Sequence, residues 1–186
     1  AKINQEDLDY IIYASNFGEV DKNGMTNFMP SMSARLKNKL GIQNRNCVNY
    51  DMIFGCPGWV EAMILADTLI KAKKAKLILV VGSETLSRVT DAFDRNKMIF
   101  ADFAGAVVVQ ATDEENVGII ADATLCDNNV ELNYLENAPS LKQDEDRRPL
   151  YIRMHGRKIY EYALKNVPDA IKQTIDKAGL TIDDID

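Results

Sequence analysis

A single histidine, His155, and a single tryptophan, Trp59, stand in this chain of 186 residues. A scheme needing a histidine base must use His155 or bring the base from elsewhere. Cys47, Cys56 and Cys126 are odd in number and lack metal-type spacing, which excludes a disulfide framework and implies no metal. A reducing, cytoplasmic compartment is expected from that usage. No run reaches the roughly 18 apolar residues of a bilayer span, and no signal-peptide pattern opens the chain. Charge of one sign is nowhere concentrated: a scattered net charge of −6 argues against nucleic acid or an anionic membrane as partner. What is present, 46% hydrophobic and 27% charged residues, is enough apolar material for one large domain or two small ones.

The chain turns on the stretch from Val48 to Trp59 and the apolar run from Val60 to Ile70 that follows it. An extended segment runs into Gly55-Cys56-Pro57-Gly58, and a helical pattern begins at once. Proline suits the first helical position, where its missing N–H is not needed. Cys56 is therefore expected at or beside the N-cap, where unbonded N–H groups and the helix dipole favour a thiolate. The helix is apolar nearly all round, broken by Glu61, Asp67 and Thr68, so it is expected to be buried. Two readings of Cys56 stand together. In one it is a held nucleophile, with Gly55 and Gly58 clearing the approach; in the other it is a small buried hydrophobe, the commoner fate of cysteine.

Elsewhere the pattern alternates. Leu8 to Ala14 reads as a strand, Ser15 to Asn27 as a loop, and Pro30 to Leu40 as a helix stopped by Gly41. Lys76 to Gly82 is a short continuous apolar run, expected to be a strand covered on both faces. Residues 83–97 read as irregular, and Met98 to Ala111 as a further strand. After a charged break at Thr112 to Asn116, Val117 to Cys126 resumes strand character. Residues 128–150 form a weakly patterned loop containing the polar run Lys142 to Pro149, expected to be solvated. A long helix is expected from Gly156 to Ala178, with an apolar stripe of Ile159, Ala163, Val167, Ile171 and Ile175, a kink near Pro168 and a stop at Gly179. Strands alternating with helices imply a layered α/β fold. Ala178 to Asp186 also echoes Ala1 to Asp9 in character, which suggests an internal duplication and a chain that is an internal piece of a longer one.

Several of these motifs, in order and spacing, resemble the ketoacyl-acyl-carrier-protein synthase III family of thiolase-like condensing enzymes. They are Gly55-Cys56-Pro57-Gly58, Leu79-Val80-Val81-Gly82-Ser83-Glu84-Thr85-Leu86-Ser87-Arg88, Asp94-Arg95, Phe100 to Ala106, and Met154-His155-Gly156-Arg157. The resemblance implies an incomplete form of the duplicated αβαβα thiolase-like fold. Residues 1–112 would belong to its N-terminal half and 113–186 to its C-terminal half. It implies that Cys56 takes an acyl group from acyl-CoA or an acyl-carrier thioester. The acyl group is then condensed with malonyl-acyl-carrier protein by a His and an Asn that the resemblance places beyond Asp186. His155 falls at a variable position of its motif and is expected to be an ordinary helix-start side chain. Arg95 resembles an arginine that meets the adenine and phosphates of CoA. Leu86, Met154, Gly156 and Tyr160 match positions lining the pantetheine and acyl channel. Phe28-Met29-Pro30 matches a loop crossing a homodimer interface.

The sequence also departs from the family pattern. Phe103 replaces a glycine, the stretch between Arg95 and Phe100 is one residue short, and Pro57, Trp59 and Glu61 are unusual after the nucleophile. These departures imply a divergent subfamily. Two alternatives stay open: another thiolase-fold condensing enzyme, polyketide-forming or hydroxymethylglutaryl-CoA-synthase-like, and a non-catalytic assembly module in which Cys56 is structural.

Overall fold

The computed structural model describes residues 2–115, 117–142 and 150–185. The polar run expected to be a solvated loop lies outside the described residues from 143 to 149. The chain divides into two compact units, residues 1–89 with 100–113, and residues 90–99 with 114–186.

The first unit is built on a four-stranded sheet. Its strands are β1 (Tyr10–Ser15), β4 (Val48–Ile53), β5 (Leu77–Thr85) and β6 (Asp102–Gln110), in the order β4-β1-β5-β6. β1 runs parallel to both β4 and β5, whereas β6 returns antiparallel to β5. Between β1 and β4 lie a short hairpin, β2 (Glu19–Val20) with β3 (Thr26–Asn27), and helix α1 (Met32–Lys39). Helix α2 (Gly58–Lys71) joins β4 to β5. The segment from Ser15 to Asn27 is thus not all loop. Its two-residue strands are too short for a period to show.

Alternation along the strands decides which helix covers which face. Ile12 and Ala14 of β1, with Ile78 and Val80 of β5, pack against Ala62 and Ala66 of α2. Ile11 and Leu77 point the other way and pack with Leu36 and Leu40, of α1 and its C-cap. The sheet is therefore a middle layer with one helix on each side. Ile11, Ile12, Ile78 and Val80 are wholly buried, each worth about 1.5–3 kcal/mol relative to exposure. The apolar run expected at 76–82 is this covered strand, and it continues to Thr85.

Helix α1 is capped twice. Ser31 Oγ accepts from the Ala34 N–H at 3.2 Å, and the Asp51 carboxylate of β4 accepts from Met32 and Ser33 N–H groups at 2.8 Å each. Those bonds satisfy donors that a helix start leaves open. At the other end Gly41 takes φ +73°, the left-handed conformation expected of it.

Helix α2 differs from expectation in two respects. Pro57 is its N-cap rather than its first helical residue, with φ −80° and ψ 5°. Nor is the helix buried all round: only Gly58, Ala62 and Ala66 are buried, and Trp59 and Val60 are exposed. The reason is geometric, because one sheet covers one face. Gly58, Ala62 and Ala66 recur every fourth residue and form the stripe that meets the sheet.

The second unit carries β7 (Leu135–Ala138) antiparallel to β8 (Tyr151–Met154), and helix α3 (Gly156–Ala178). Finding β7 corrects the reading of 128–150 as plain loop. Residues 117–126, expected to be a strand, lie in no named strand. Strand propensity is realised only where a neighbour supplies the ladder, and the described ladder of this unit is β7–β8. Helix α3 has the expected bounds, runs as one element through Pro168, and stops at Gly179 with φ +68°. Its stripe is as expected at Ile159, Ala163 and Ile175, which are half-buried, but not at Val167 and Ile171, which are exposed, whereas the polar Asn166 and Thr174 are half-buried. Both of these polar side chains bond the carbonyl one turn back, Asn166 to Tyr162 and Thr174 to Ala170, so they can be covered at little cost.

Candidate active site

The first unit brings an exposed thiol to the start of α2. β4 ends at Ile53, and a turn closes on the Gly58 N–H, which donates to Gly55 O at 2.8 Å. The first helical bond, Glu61 N–H to Pro57 O at 3.0 Å, follows directly. Cys56 sits in this turn, one residue before the N-cap, and is exposed. No side chain caps that helix end. The role of buried hydrophobe falls instead to Cys47, 1% exposed, whose thiol is pushed up by burial. A side chain at Gly55 would meet nothing within 4 Å, so the approach to the turn is open on that side.

Small residues hold the turn close to the sheet. A Cβ on Gly58 would lie 3.1 Å from Phe54 Cβ and 3.4 Å from Ala14 Cβ. One on Gly82 of β5 would lie 3.2 Å from the Trp59 ring. The start of α2 thus rests on β1 and β5 with no room for larger side chains, which fixes the height of Cys56 above the strands.

Toward the end of β5 lies a group that the sequence did not single out. Glu84 Oε1 accepts from the Asn16 N–H, while its Oε2 is buried with no hydrogen bond. Burial raises its carboxyl above the usual range, against the lowering effect of the Asn16 and Phe17 N–H groups. Its neighbour Ser83 shares a hydrogen bond with the Tyr13 hydroxyl. A raised carboxyl pKa means the folded state holds a proton that the unfolded chain releases. Stability therefore falls as pH rises from the unfolded value through the folded one. Glu84→Gln is expected to raise the melting temperature more at pH 8 than at pH 4. A difference between variant and parent that does not change with pH would refute this.

Leu86 opens a 3-10 turn, Leu86–Arg88, and is half-buried. That turn is tied to β6 by Asp102, which accepts from the Ser87 hydroxyl at 2.7 Å and the Ser87 N–H at 2.8 Å. These two bonds hold the Asp102 carboxyl below its ordinary value.

The remaining expected positions belong to the second unit. Arg95 begins the 3-10 turn Arg95–Ile99 and is exposed. Its neighbour Asn96 donates from Nδ2 to Met154 O at 3.1 Å, and a Cβ on Gly156 would lie 3.7 Å from Asn96 Oδ1. The segment bearing Arg95 is thereby brought against Met154 and Gly156. Tyr160, on the first turns of α3, is 64% exposed. His155 is the N-cap of α3, with Nε2 at 3.4 Å from Glu136 Oε1. The buried carboxylates of Asp91 and Asp94, which precede Arg95, meet the half-buried Arg153, a grouping the sequence did not reveal. Among the described residues no three His, Cys, Asp or Glu side chains gather as a metal site, and no helix is long and apolar enough to cross a membrane.

Comparison with known proteins agrees with the motifs. The family description 3-oxoacyl-[acyl-carrier-protein] synthase III matches residues 50–128, which include Cys56, Leu86 and Arg95. A beta-ketoacyl-[acyl-carrier-protein] synthase III of Erythrobacter litoralis is 34% identical over all of this chain and 55% of its own length. One from Streptococcus gordonii is 31% identical over all of this chain and 55% of its own. The crystal structure of the Thermus thermophilus synthase III superposes with a TM-score of 0.79 at 30% identity, covering 97% of this chain and 53% of that one. The priming beta-ketosynthase of the R1128 polyketide pathway gives 0.74 at 26% identity, covering 96% and 51%. The α/β fold is therefore that of the thiolase-like synthases, and the chain spans about half the length of the relatives it matches.

Proposed function

We propose that this chain, similar over its whole length to synthases III and matched over residues 50–128 by the 3-oxoacyl-[acyl-carrier-protein] synthase III family, carries the acyl-accepting part of such a condensing enzyme, with Cys56 as nucleophile. The observation that carries this reading is the exposed thiol in the turn that opens α2, beside an open approach at Gly55. The Cys56 thiolate attacks the carbonyl carbon of acyl-CoA. The bond from that carbon to the CoA sulfur breaks, CoA leaves as its thiolate, and a new thioester joins the acyl group to Cys56. A backbone N–H in the turn stabilises the oxyanion formed on the way.

Arg95 binds the nucleotide of CoA, where a guanidinium can both stack on a base and bind phosphate. The family resemblance assigns Leu86 in the first unit, and Met154, Gly156 and Tyr160 in the second, to the binding of pantetheine and acyl group. The second step, condensation with malonyl-acyl-carrier protein, uses the His and Asn that the family resemblance places outside these residues. Residues 1–112 and 113–186 are parts of the two related halves of the fold. The protein acts in the cytoplasm as a homodimer, with acyl-CoA and acyl-carrier protein as substrates and no permanently bound cofactor. Exposed Phe28, Met29, Phe103 and Val107 favour a partner surface over a free monomer.

The polyketide alternative keeps the same nucleophile, and the likeness to the R1128 priming synthase favours keeping it in view. Incubation with acetyl-CoA tests the common step. One equivalent of free CoA thiol is expected, with a matching gain of one acetyl group in intact mass. No CoA release above spontaneous hydrolysis would contradict the proposal.

A further inference from the structure

Arg95 lies in a segment that is pinned on both of its flanks. Asp91 is 2% exposed and Asp94 6%, two carboxylates three residues apart and both buried. Asp91 Oδ1 accepts from the Phe93 N–H at 3.0 Å and the Ser140 hydroxyl at 3.1 Å, and its Oδ2 accepts from the Leu141 N–H at 2.7 Å. Asp94 Oδ1 accepts from the Asn96 N–H at 2.8 Å, which folds the backbone around Arg95. Arg153 of β8 lies against both acids. Its Nη2 is 4.0 Å from Asp91 Oδ2 and its Nε is 3.6 Å from Asp94 Oδ2, while Nη2 also donates to Pro139 O. A bridge between Thr90 and Ile152 and the Asn96–Met154 bond fasten the same segment to the same strand.

We propose that Arg153 is a positioning residue for the nucleotide end of the acyl donor: by holding Asp91 and Asp94 together it fixes the turn that presents Arg95. This rests on the reading of Arg95 as the CoA-binding arginine. Three physical points favour it over a role in stability alone. A buried ion pair offers little net stability against an apolar replacement, because desolvation offsets the attraction. Its better use is to select one conformation. Two carboxylates lie within 4.0 Å of this one side chain and a carbonyl accepts from it, with Nε buried and making no hydrogen bond, so its charge is spread over both acids as a planar guanidinium allows and the point charge of lysine does not. Finally, Asp94 and Asn96 are anchored while Arg95 between them is exposed, so the backbone is ordered and the side chain is left to the ligand. Ordering the turn beforehand removes an entropic cost from binding. Burial pushes the Asp91 carboxyl up, but its N–H partners, Ser140 and Arg153 outweigh that and hold it below the ordinary range. The Asp91 carboxyl is therefore ionised at neutral pH.

The test measures the rate of Cys56 acylation against acetyl-CoA and against acetyl-N-acetylcysteamine, a thioester without the nucleotide. Arg153→Met is expected to raise the half-saturating acetyl-CoA concentration about tenfold, with maximal rate and the truncated donor unchanged, as for misplacement of a binding group by a distant change. Arg153→Lys should recover little. Asp94→Asn, nearly isosteric, should show a smaller shift of the same selectivity, and it carries the test if Arg153→Met does not fold. Arg95→Ala reports separately on the parent reading. If it leaves acetyl-CoA saturation unchanged, that reading fails and this proposal with it. If Arg95→Ala shifts saturation but Arg153→Met or Asp94→Asn does not, only the present proposal is overturned. Equal losses with both donors would mark Arg153 as merely structural and would overturn it too.

Discussion

Cys56→Ala abolishes transfer of the acetyl group from acetyl-CoA, lowering the rate by roughly 10³-fold or more, as expected when a covalent nucleophile is removed. The variant folds as the parent does, because Cys56 is exposed and makes no core contact. Cys47→Ala behaves oppositely. Its thiol is buried with Leu8, Ile11, Ile42 and Leu77, so removal costs stability and leaves the acyl transfer intact. Thiol labelling of the folded protein gives the same order without substrate. Cys56 should react faster than Cys126, although both are exposed, and Cys47 should react slowest. Equal rates for Cys56 and Cys126 would leave exposure as the sole cause of reactivity and remove any influence of the α2 start. Melting curves and acylation rates of the two alanine variants check the rest.

Ile12→Ala destabilises the protein by about 2–5 kcal/mol, the range for truncating a large aliphatic side chain in a packed core. Ile11→Ala costs a comparable amount, since both residues are wholly buried on a central strand. The two differ in what they disturb. Ile12 faces Ala62 and Ala66 of α2, the helix whose first turn follows Cys56, whereas Ile11 faces the α1 side of the sheet. Cys56 labelling should therefore change in Ile12→Ala and stay as in the parent in Ile11→Ala, under conditions where both remain folded. Denaturant unfolding gives the stabilities and labelling kinetics the contrast. If both variants alter Cys56 equally, the assignment of α2 to one face of the sheet as the support of the site is wrong.

Much of this was legible in the sequence, and the limits have physical causes. β5 could be read because a strand covered on both faces must be apolar throughout, as Leu77 to Val81 is. Helix α3 could be bounded to the residue because Gly156 and Gly179 punctuate it. The turn at Gly55-Cys56-Pro57-Gly58 announced itself by its glycines and proline. Its register was one residue off, because the Gly58 N–H bonds back to Gly55 and leaves Pro57 as the cap. β2, β3 and β7 were not legible, since strands of two to four residues are too short to show alternation. The stripe of α3 holds at Ile159, Ala163 and Ile175 but fails at Val167 and Ile171, because apolar periodicity marks a face that can be buried, not one that is. Glu84 and Arg153 gave no signal at all. What matters about them is which partners they meet 67 or more residues away for Glu84, and 59 or more for the acids on Arg153, and such contacts come only with tertiary structure.

The most direct measurement is peptide mapping after brief exposure to acetyl-CoA. The account predicts a single acetyl group, released by hydroxylamine as a thioester should be, on the peptide that contains Cys56. An acetyl group on the Cys126 peptide, or one spread over lysines, would contradict it.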